Sequence, residues 1–203
     1  MNHSDDNTNS FQFWEDIYLA DDAGWDLGGI TPAIESIADT ITPGKVCILG
    51  CGRGYDAVMF AKKGFKVTAV DFAPSAIKSV KGLALEANVI VRAIQDDIFS
   101  LTPEYSNTFD TIIEQTCFCA INPNRRLEYV RLVKALLKQG GKLIGLWFPL
   151  DKTLKEGGPP YGTTVEEVKS IFNHGWIIKR EEFPHLSIPS RKGREKLIIF
   201  KKK

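Results

Sequence analysis

The chain has 203 residues, with 26 Lys and Arg against 25 Asp and Glu and a formal charge of +1. That length suits one domain with a full core, and the near-neutral charge argues against a nucleic-acid binder that works through bulk electrostatics. No run approaches the roughly 18 apolar residues of a membrane span, and the polar start Met1–Ser10 lacks the apolar stretch of a signal peptide, so a cytoplasmic protein is expected.

Residues 1–10 read as a disordered tail and 11–203 as a single domain. Phe11, Phe13, Trp14, Ile17 and Tyr18 follow helical spacing until Asp21-Asp22-Ala23-Gly24. Thr31-Pro32, a cap residue followed by proline at the first helical position, opens a second helix carrying Ile34, Ile37, Ala38 and Ile41. From there strands and helices alternate. Val46 to Leu49 is a short buried strand ending in glycines, and Ala57 to Ala61 mark a helix closed by Gly64. Val67 to Val70 is the next strand, ending at Asp71, and Pro74-Ser75 opens the following helix. Val89 to Ile94 and Phe109 to Glu114 are the third and fourth strands. Asn122-Pro123 caps a long helix that Gly140-Gly141 stops, and Leu143 to Phe148 is the fifth strand. Thr164-Val-Glu-Glu167 is a capping box for a short helix. Trp176 to Lys179 and Lys196 to Phe200 then follow with no helix between them, joined by a connector containing Pro184 and Pro189, so they pair as an antiparallel hairpin. The expected fold class is α/β: a doubly wound, Rossmann-like sheet of mostly parallel strands ending antiparallel. Lys201-Lys-Lys203 reads as a solvated tail.

Cys47, Cys51, Cys117 and Cys119 form no C-x-x-C pair, and His3, His174 and His185 are scattered, so no metal site is expected. The cysteines read as free thiols acting as small apolar side chains, with Cys117 and Cys119 on one face if they end a strand.

The chemistry is concentrated after the first three strands. Gly50-Cys51-Gly52-Arg53-Gly54 lies between a strand and a helix, the context that makes a glycine loop meaningful. Its G-x-G-x-G spacing differs from the G-x-G-x-x-G that seats a pyrophosphate on a helix N-terminus, and suits a nucleoside ligand without phosphates. Asp71 lies 19 residues after Gly52 at the end of the second strand, where a carboxylate accepts hydrogen bonds from both ribose hydroxyls; a helix cap or a solvated loop acid is the plainer alternative. In Gln95-Asp96-Asp97-Ile98-Phe99, an acid can accept from an exocyclic adenine amine while Ile98 covers the ring. Asp97 is favoured over Asp96, and either could instead cap a turn.

The glycine loop, Asp71, Asp97 and the closing hairpin together resemble a class I S-adenosylmethionine-dependent methyltransferase, whose fold is a seven-stranded sheet with the last strand antiparallel. A narrower resemblance spans nearly the whole chain. Trp14-x3-Tyr18-x6-Trp25, Phe109-Asp110 through Glu114-Gln115-Thr-Cys-Phe118 to Pro123 and Arg126, Gly158-Pro-Pro-Tyr161, and Arg191-Lys-Gly-Arg-Glu195 are together similar to the thiopurine S-methyltransferase and thiol/halide methyltransferase family.

The resemblance implies S-adenosyl-L-methionine as cofactor, S-adenosyl-L-homocysteine as its product and a small-molecule acceptor. It also implies N-terminal helices (residues 11–44) that cover the cofactor site. Trp14 and Tyr18 match aromatics over the cofactor, and Trp25, counted with them, matches one lining the acceptor side; aromatic faces attract a sulfonium cation. Gly50, Cys51, Gly52, Gly54, Asp71, Phe72, Asp97, Ile98 and Glu114 complete the expected cofactor contacts, while Gln115, Phe118 and Tyr161 are the expected acceptor contacts. Phe11, Phe13 and Ile17 are expected to pack on the core. Thiopurine enzymes carry an arginine where Gln115 stands. An arginine suits an anionic or conjugated acceptor better than a neutral amide does, which counts against a thiopurine. The expected acceptor is a small soft nucleophile: a thiol, hydrosulfide, thiocyanate, halide or thiopurine-like molecule. No catalytic base is assigned, although Glu114 is a candidate. The alternatives are methylation of another small molecule, a nicotinamide-dependent oxidoreductase, which the glycine spacing disfavours, and a non-catalytic adenosyl-binding module. A monomer without nucleic-acid or membrane partners is expected.

Overall fold

The structure is a computed structural model, and it describes residues 7–203. Positions 1–6 of the expected tail lie outside the described residues. Thr8, just inside them, is buried, and its carbonyl accepts a hydrogen bond from Trp14 Nε1 at 3.0 Å.

Seven strands form one sheet in the order β3-β2-β1-β4-β5-β7-β6. They are β1 (Lys45–Leu49), β2 (Lys66–Asp71), β3 (Val91–Gln95), β4 (Phe109–Gln115), β5 (Leu137–Trp147), β6 (Trp176–Glu182) and β7 (Lys196–Lys202). β1 to β5 pair in parallel, and β7 runs antiparallel to both β5 and β6. This is the expected doubly wound sheet with an antiparallel last strand. The helices are α1 (Phe11–Leu19), α2 (Pro32–Ala38), α3 (Tyr55–Lys62), α4 (Pro74–Glu86), α5 (Thr102–Tyr105), α6 (Arg126–Leu136) and α7 (Val165–Ile171).

Strand side chains alternate between faces, so each central strand feeds two cores. Val46, Ile48, Val67, Ala69, Ile113 and Ile144 pack with α2 and α3. Cys47, Leu49, Ile112, Leu143 and Phe200 pack with α6 on the other face. That second core is rich in rings: Trp147 meets Phe118, Phe172 and Phe200 with centroids 5.1, 5.4 and 6.1 Å away.

Several boundaries differ from the sequence reading for identifiable reasons. β3 begins at Val91 rather than Val89 because Asn88, at φ 53°, ends α4, and the Val89 and Asn88 N–H groups pair with the Ala84 and Leu85 carbonyls. Gly140-Gly141 does not stop α6. The helix ends at Leu136, β5 starts at once, and the glycine pair lies where the β4–β5 register shifts between Phe109↔Leu137 and Thr111↔Lys142. Thr164 does accept a hydrogen bond from Glu167 N, but the Glu167 carboxylate turns to Arg126 and Thr163 instead of closing a capping box. The reciprocal box forms at Thr153–Glu156. The lysine tail is part of the sheet: Lys201 pairs with Lys142, and Lys202 Nζ donates to the Lys134 and Leu137 carbonyls at the end of α6.

Candidate active site

One cavity of about 570 Å³ opens across the carboxyl ends of the parallel strands. Asp71 ends β2, Asp97 follows β3, Thr116 and Cys117 follow β4, and Phe148 follows β5; all of them line it. In strand order the cavity therefore runs from β3 through β2, β1 and β4 to β5, which is where open α/β sheets bind ligands. The N-terminal segment closes it from above with Phe13, Trp14, Ile17, Tyr18 and Trp25. Phe13 and Ile17 thus face the cavity rather than the core, and Phe11 is exposed.

Two of the links that hold that cover come from α4 and from the glycine loop. The Glu15 carboxylate accepts from Ser75 N (2.9 Å) and Ser75 Oγ (2.7 Å), so α1 caps the start of α4. Arg53, from the glycine loop, pairs with Asp26 (2.6 Å) and Asp21 (2.8 Å) and lies over the Tyr18 ring. Trp25 stacks edge-on against both Trp14 and Tyr18 at 5.5 Å, and its Nε1 donates to the Tyr18 hydroxyl.

The glycine loop serves two ends. Gly50 borders the cavity at φ 60°, and a Cβ there would meet Cys117 at 3.1 Å. Gly54, at φ 91°, is a packing position: a Cβ would come within 2.6 Å of Val80 in α4. Asp71 Oδ2 accepts from Gly52 N (2.8 Å) and Oδ1 from Ala73 N (3.0 Å), which fixes its carboxylate at the cavity wall with lone pairs to spare. Burial raises its pKa to about 6 against those backbone donors. Phe72 and Ile98 line the cavity beside the two acids.

Asp97 Oδ1 accepts from Phe99 N, so this residue caps a turn and also faces the cavity. The Asp96 carboxylate accepts from Asp97 N, and the residue is exposed. The Arg125 guanidinium lies 3.6 Å from the Phe99 ring centroid and is tied to Glu128, building the rest of this end. Neither Phe99 nor Arg125 was expected in the site; Phe99 was readable only as the residue after Ile98, and Arg125 carried no spacing signal.

After β4 the chain makes a turn with Thr116 at φ 60°. Glu114 is buried and faces this turn, not the cavity. Its Oε1 accepts from Cys117 N (3.1 Å) and Phe118 N (2.9 Å), and its Oε2 from the Tyr129 hydroxyl (2.7 Å). Burial raises its pKa to about 7. With both oxygens engaged by the turn and by Tyr129, Glu114 positions the turn. The same clamp turns Phe118 inward, against Tyr129 and Trp147, and Tyr161 is likewise buried while its N–H donates to Cys119 O. Thus Phe118, Tyr161 and the half-buried Gln115 stand behind the cavity wall, while Thr116, Cys117, Cys119, Pro159 and Pro160 form it. Cys51, Gly52 and Gly54 also stand behind it. Cys117 and Cys119 sit in the turn rather than on the strand, and all four cysteines are free.

At the β5 end, Phe148 is flanked by Arg191 and Arg194, both 5.2 Å from its ring centroid. Arg194 pairs with Asp151; Arg191 Nη2 donates to the Trp25 carbonyl, joining the segment before β7 to the N-terminal cover. Among the described residues no cluster of His, Cys, Asp or Glu could hold a metal, and no helix is long and apolar enough to cross a membrane.

Comparison with known proteins adds an independent finding. Residues 9–200 match the family model described as Thiopurine S-methyltransferase (TPMT). The chain is 34% identical over 203 aligned residues to a probable thiol methyltransferase 2 of Arabidopsis thaliana, covering 96% of this chain and 86% of that protein. It is also 34% identical to thiocyanate methyltransferase 1 of Arabidopsis thaliana, covering 93% and 84%. Among solved structures, the Burkholderia thailandensis 1,6-didemethyltoxoflavin-N1-methyltransferase with bound S-adenosylhomocysteine superposes with a TM-score of 0.74 at 19% identity, covering 95% of this chain and 87% of that one.

Proposed function

The chain belongs to the thiopurine S-methyltransferase family, and from that membership and the cavity we infer how an S-methyltransferase works at this site. It methylates a small soft nucleophile, with thiol, hydrosulfide, thiocyanate and halide as the acceptors favoured over a thiopurine. The observation that carries this reading is the cavity across the strand ends, with carboxylates at its β2–β3 end and arginines beside an aromatic ring at its β5 end.

The family implies S-adenosylmethionine, and the donor set fits it. Asp71 has spare acceptor capacity for the ribose hydroxyls, Asp97 and Ile98 suit the adenine, and Gly50 leaves room where a Cβ would crowd Cys117. Trp14, Tyr18 and Trp25 present rings that favour a sulfonium. When bound, this cofactor supplies a methyl group on a positively charged sulfur, already activated for direct displacement by an acceptor electron pair. The protein's part is then to align the acceptor and exclude water. The aromatic cover and Pro159-Pro160 narrow access to the cavity, and Glu114 holds the turn that carries Cys117. No histidine lines the cavity among the described residues, which suits acceptors that need no protein base.

Headspace chromatography after incubation with S-adenosylmethionine and hydrosulfide tests this reading. Enzyme-dependent methanethiol is expected. Its absence, together with absent products from thiocyanate and iodide, refutes the acceptor class.

A further inference from the structure

We propose that the amino end of the sheet, opposite the cavity, docks on the surface of an anionic lipid bilayer. The inference is independent of the methyl-transfer reading.

The strand register gathers lysines that are far apart in the chain. Lys45 and Lys66 open β1 and β2 and are paired neighbours. Further along the sheet, Thr111 of β4 is opposite Lys142 of β5, Lys142 is opposite Lys201 of β7, and Lys201 is opposite Ile177 of β6. On the other side Val67 pairs with Val91, which puts Ile90 level with Lys66. Across seven strands, a span of roughly 30 Å, the amino end therefore carries an apolar residue at each edge with lysines between. Side chains alternate in direction along a strand, so Lys142 and Lys201 flank the face of α2 and α3 while Lys45, Lys66 and Lys202 flank the face of α6.

Little within the protein answers these charges. Like charges directly opposed in a sheet, as Lys142 and Lys201 are, repel. Among the described residues, none of Lys45, Lys66, Lys142, Lys201 and Lys202 joins an ion pair. The acids at this end are engaged elsewhere: Asp110, which also feels Lys45, pairs with Lys138, Asp39 with Lys63, and Glu104 with Arg92. Glu86, in the last turn of α4, is unpaired among the described residues. The formal charge of +1 conceals this face because the other acids lie elsewhere.

Charge alone suits any polyanion, and the apolar residues decide which. Ile90 and Leu85, the latter in the last turn of α4, are 92% and 82% exposed, the most exposed large apolar side chains among the described residues. Ile177, at the opposite edge, is 44% exposed. Against a nucleic acid these side chains face phosphates and gain nothing. Against a bilayer they enter the headgroup boundary while the lysines meet anionic headgroups. A peripheral contact of this kind needs no membrane-spanning helix, and it leaves the cavity at the other end of the strands open to water.

Sedimentation with phosphatidylcholine vesicles, with and without phosphatidylserine, at physiological salt tests the proposal. Binding is expected only where phosphatidylserine is present, and it should fall as salt rises. Wild type that binds neither kind of vesicle, or both equally, overturns the proposal without need of any variant. Lys142→Gln and Lys201→Gln are each expected to weaken vesicle binding about fivefold. Each also relieves the repulsion between the two lysines, so Tm should hold or rise, which separates lost binding from lost folding. Leu85→Ser combined with Ile90→Ser is expected to weaken vesicle binding about tenfold while S-adenosylhomocysteine affinity stays unchanged. Vesicle binding that this pair leaves untouched and that duplex DNA displaces marks a general polyanion surface and overturns the lipid assignment.

Discussion

Two buried carboxylates of similar appearance do different work in this protein. Asp71 sits at the cavity wall with acceptor capacity to spare, whereas Glu114 spends both oxygens on the turn after its own strand. Asp71→Ala is therefore expected to weaken S-adenosylmethionine binding by about 2 kcal/mol, from lost charged hydrogen bonds. Calorimetric titration checks this, and unchanged affinity would remove Asp71 from the ribose. Glu114 leads to a pH prediction. Its pKa is raised from 4.5 to about 7 by burial, so the native state holds a proton that the unfolded chain gives up earlier. The associated stability is complete below pH 4.5 and is lost as pH rises to about 7. Glu114→Gln removes that titration, so its Tm should fall less across this window than the wild type's. A parallel decline in both proteins would show that Glu114 does not titrate there. Sequence position alone located Asp71 correctly at a strand end, but it could not tell that Glu114 turns away. The direction depends on the Thr116 backbone and on Tyr129, which is 15 residues further along the chain.

The elements that close the cavity are attached by few contacts, and those contacts are specific. Arg53 is the link between the glycine loop and residues 21–26, through Asp21 and Asp26. Asp21 is largely exposed, so that half of the pair contributes little, and the more buried Asp26 contact dominates. Arg53→Ala should weaken S-adenosylhomocysteine binding about tenfold while changing Tm little, and speed hydrogen exchange over residues 14–25. Unchanged exchange would mean that the Glu15–Ser75 clamp and the Arg191–Trp25 hydrogen bond suffice to hold the cover. The strands and the first glycine loop were legible because alternation, glycine and strand-end acids are local signals. The ends of α6 and β5 were not. Gly140-Gly141 has the composition of a helix stop, yet it serves the register shift against β4, and the end of α6 is satisfied by Lys202 from the far end of the chain. Pairing at that separation leaves no mark in a local pattern.

At the scale of the whole molecule, the sheet order brings segments distant in sequence to one cavity. The N-terminal aromatics, the turn after β4, and the Arg191–Arg194 segment before β7 meet because β7 inserts beside β5. The ring cluster around Trp147 underlies that insertion, joining β5 to β7 and α7's end. Trp147→Ala should cost about 3–5 kcal/mol, seen as a lower midpoint in denaturant unfolding; a loss below ~1 kcal/mol would mean the cluster relaxes around the gap. The acidic end was readable in the sequence, while the arginine end emerged only when these separated segments were brought together. The most direct test of the account is S-adenosylhomocysteine release from S-adenosylmethionine, measured side by side with hydrosulfide, thiocyanate, iodide and a thiopurine. Turnover of at least one small soft anion at a higher kcat/KM than the thiopurine is expected. A thiopurine turned over in preference to every small anion would contradict it.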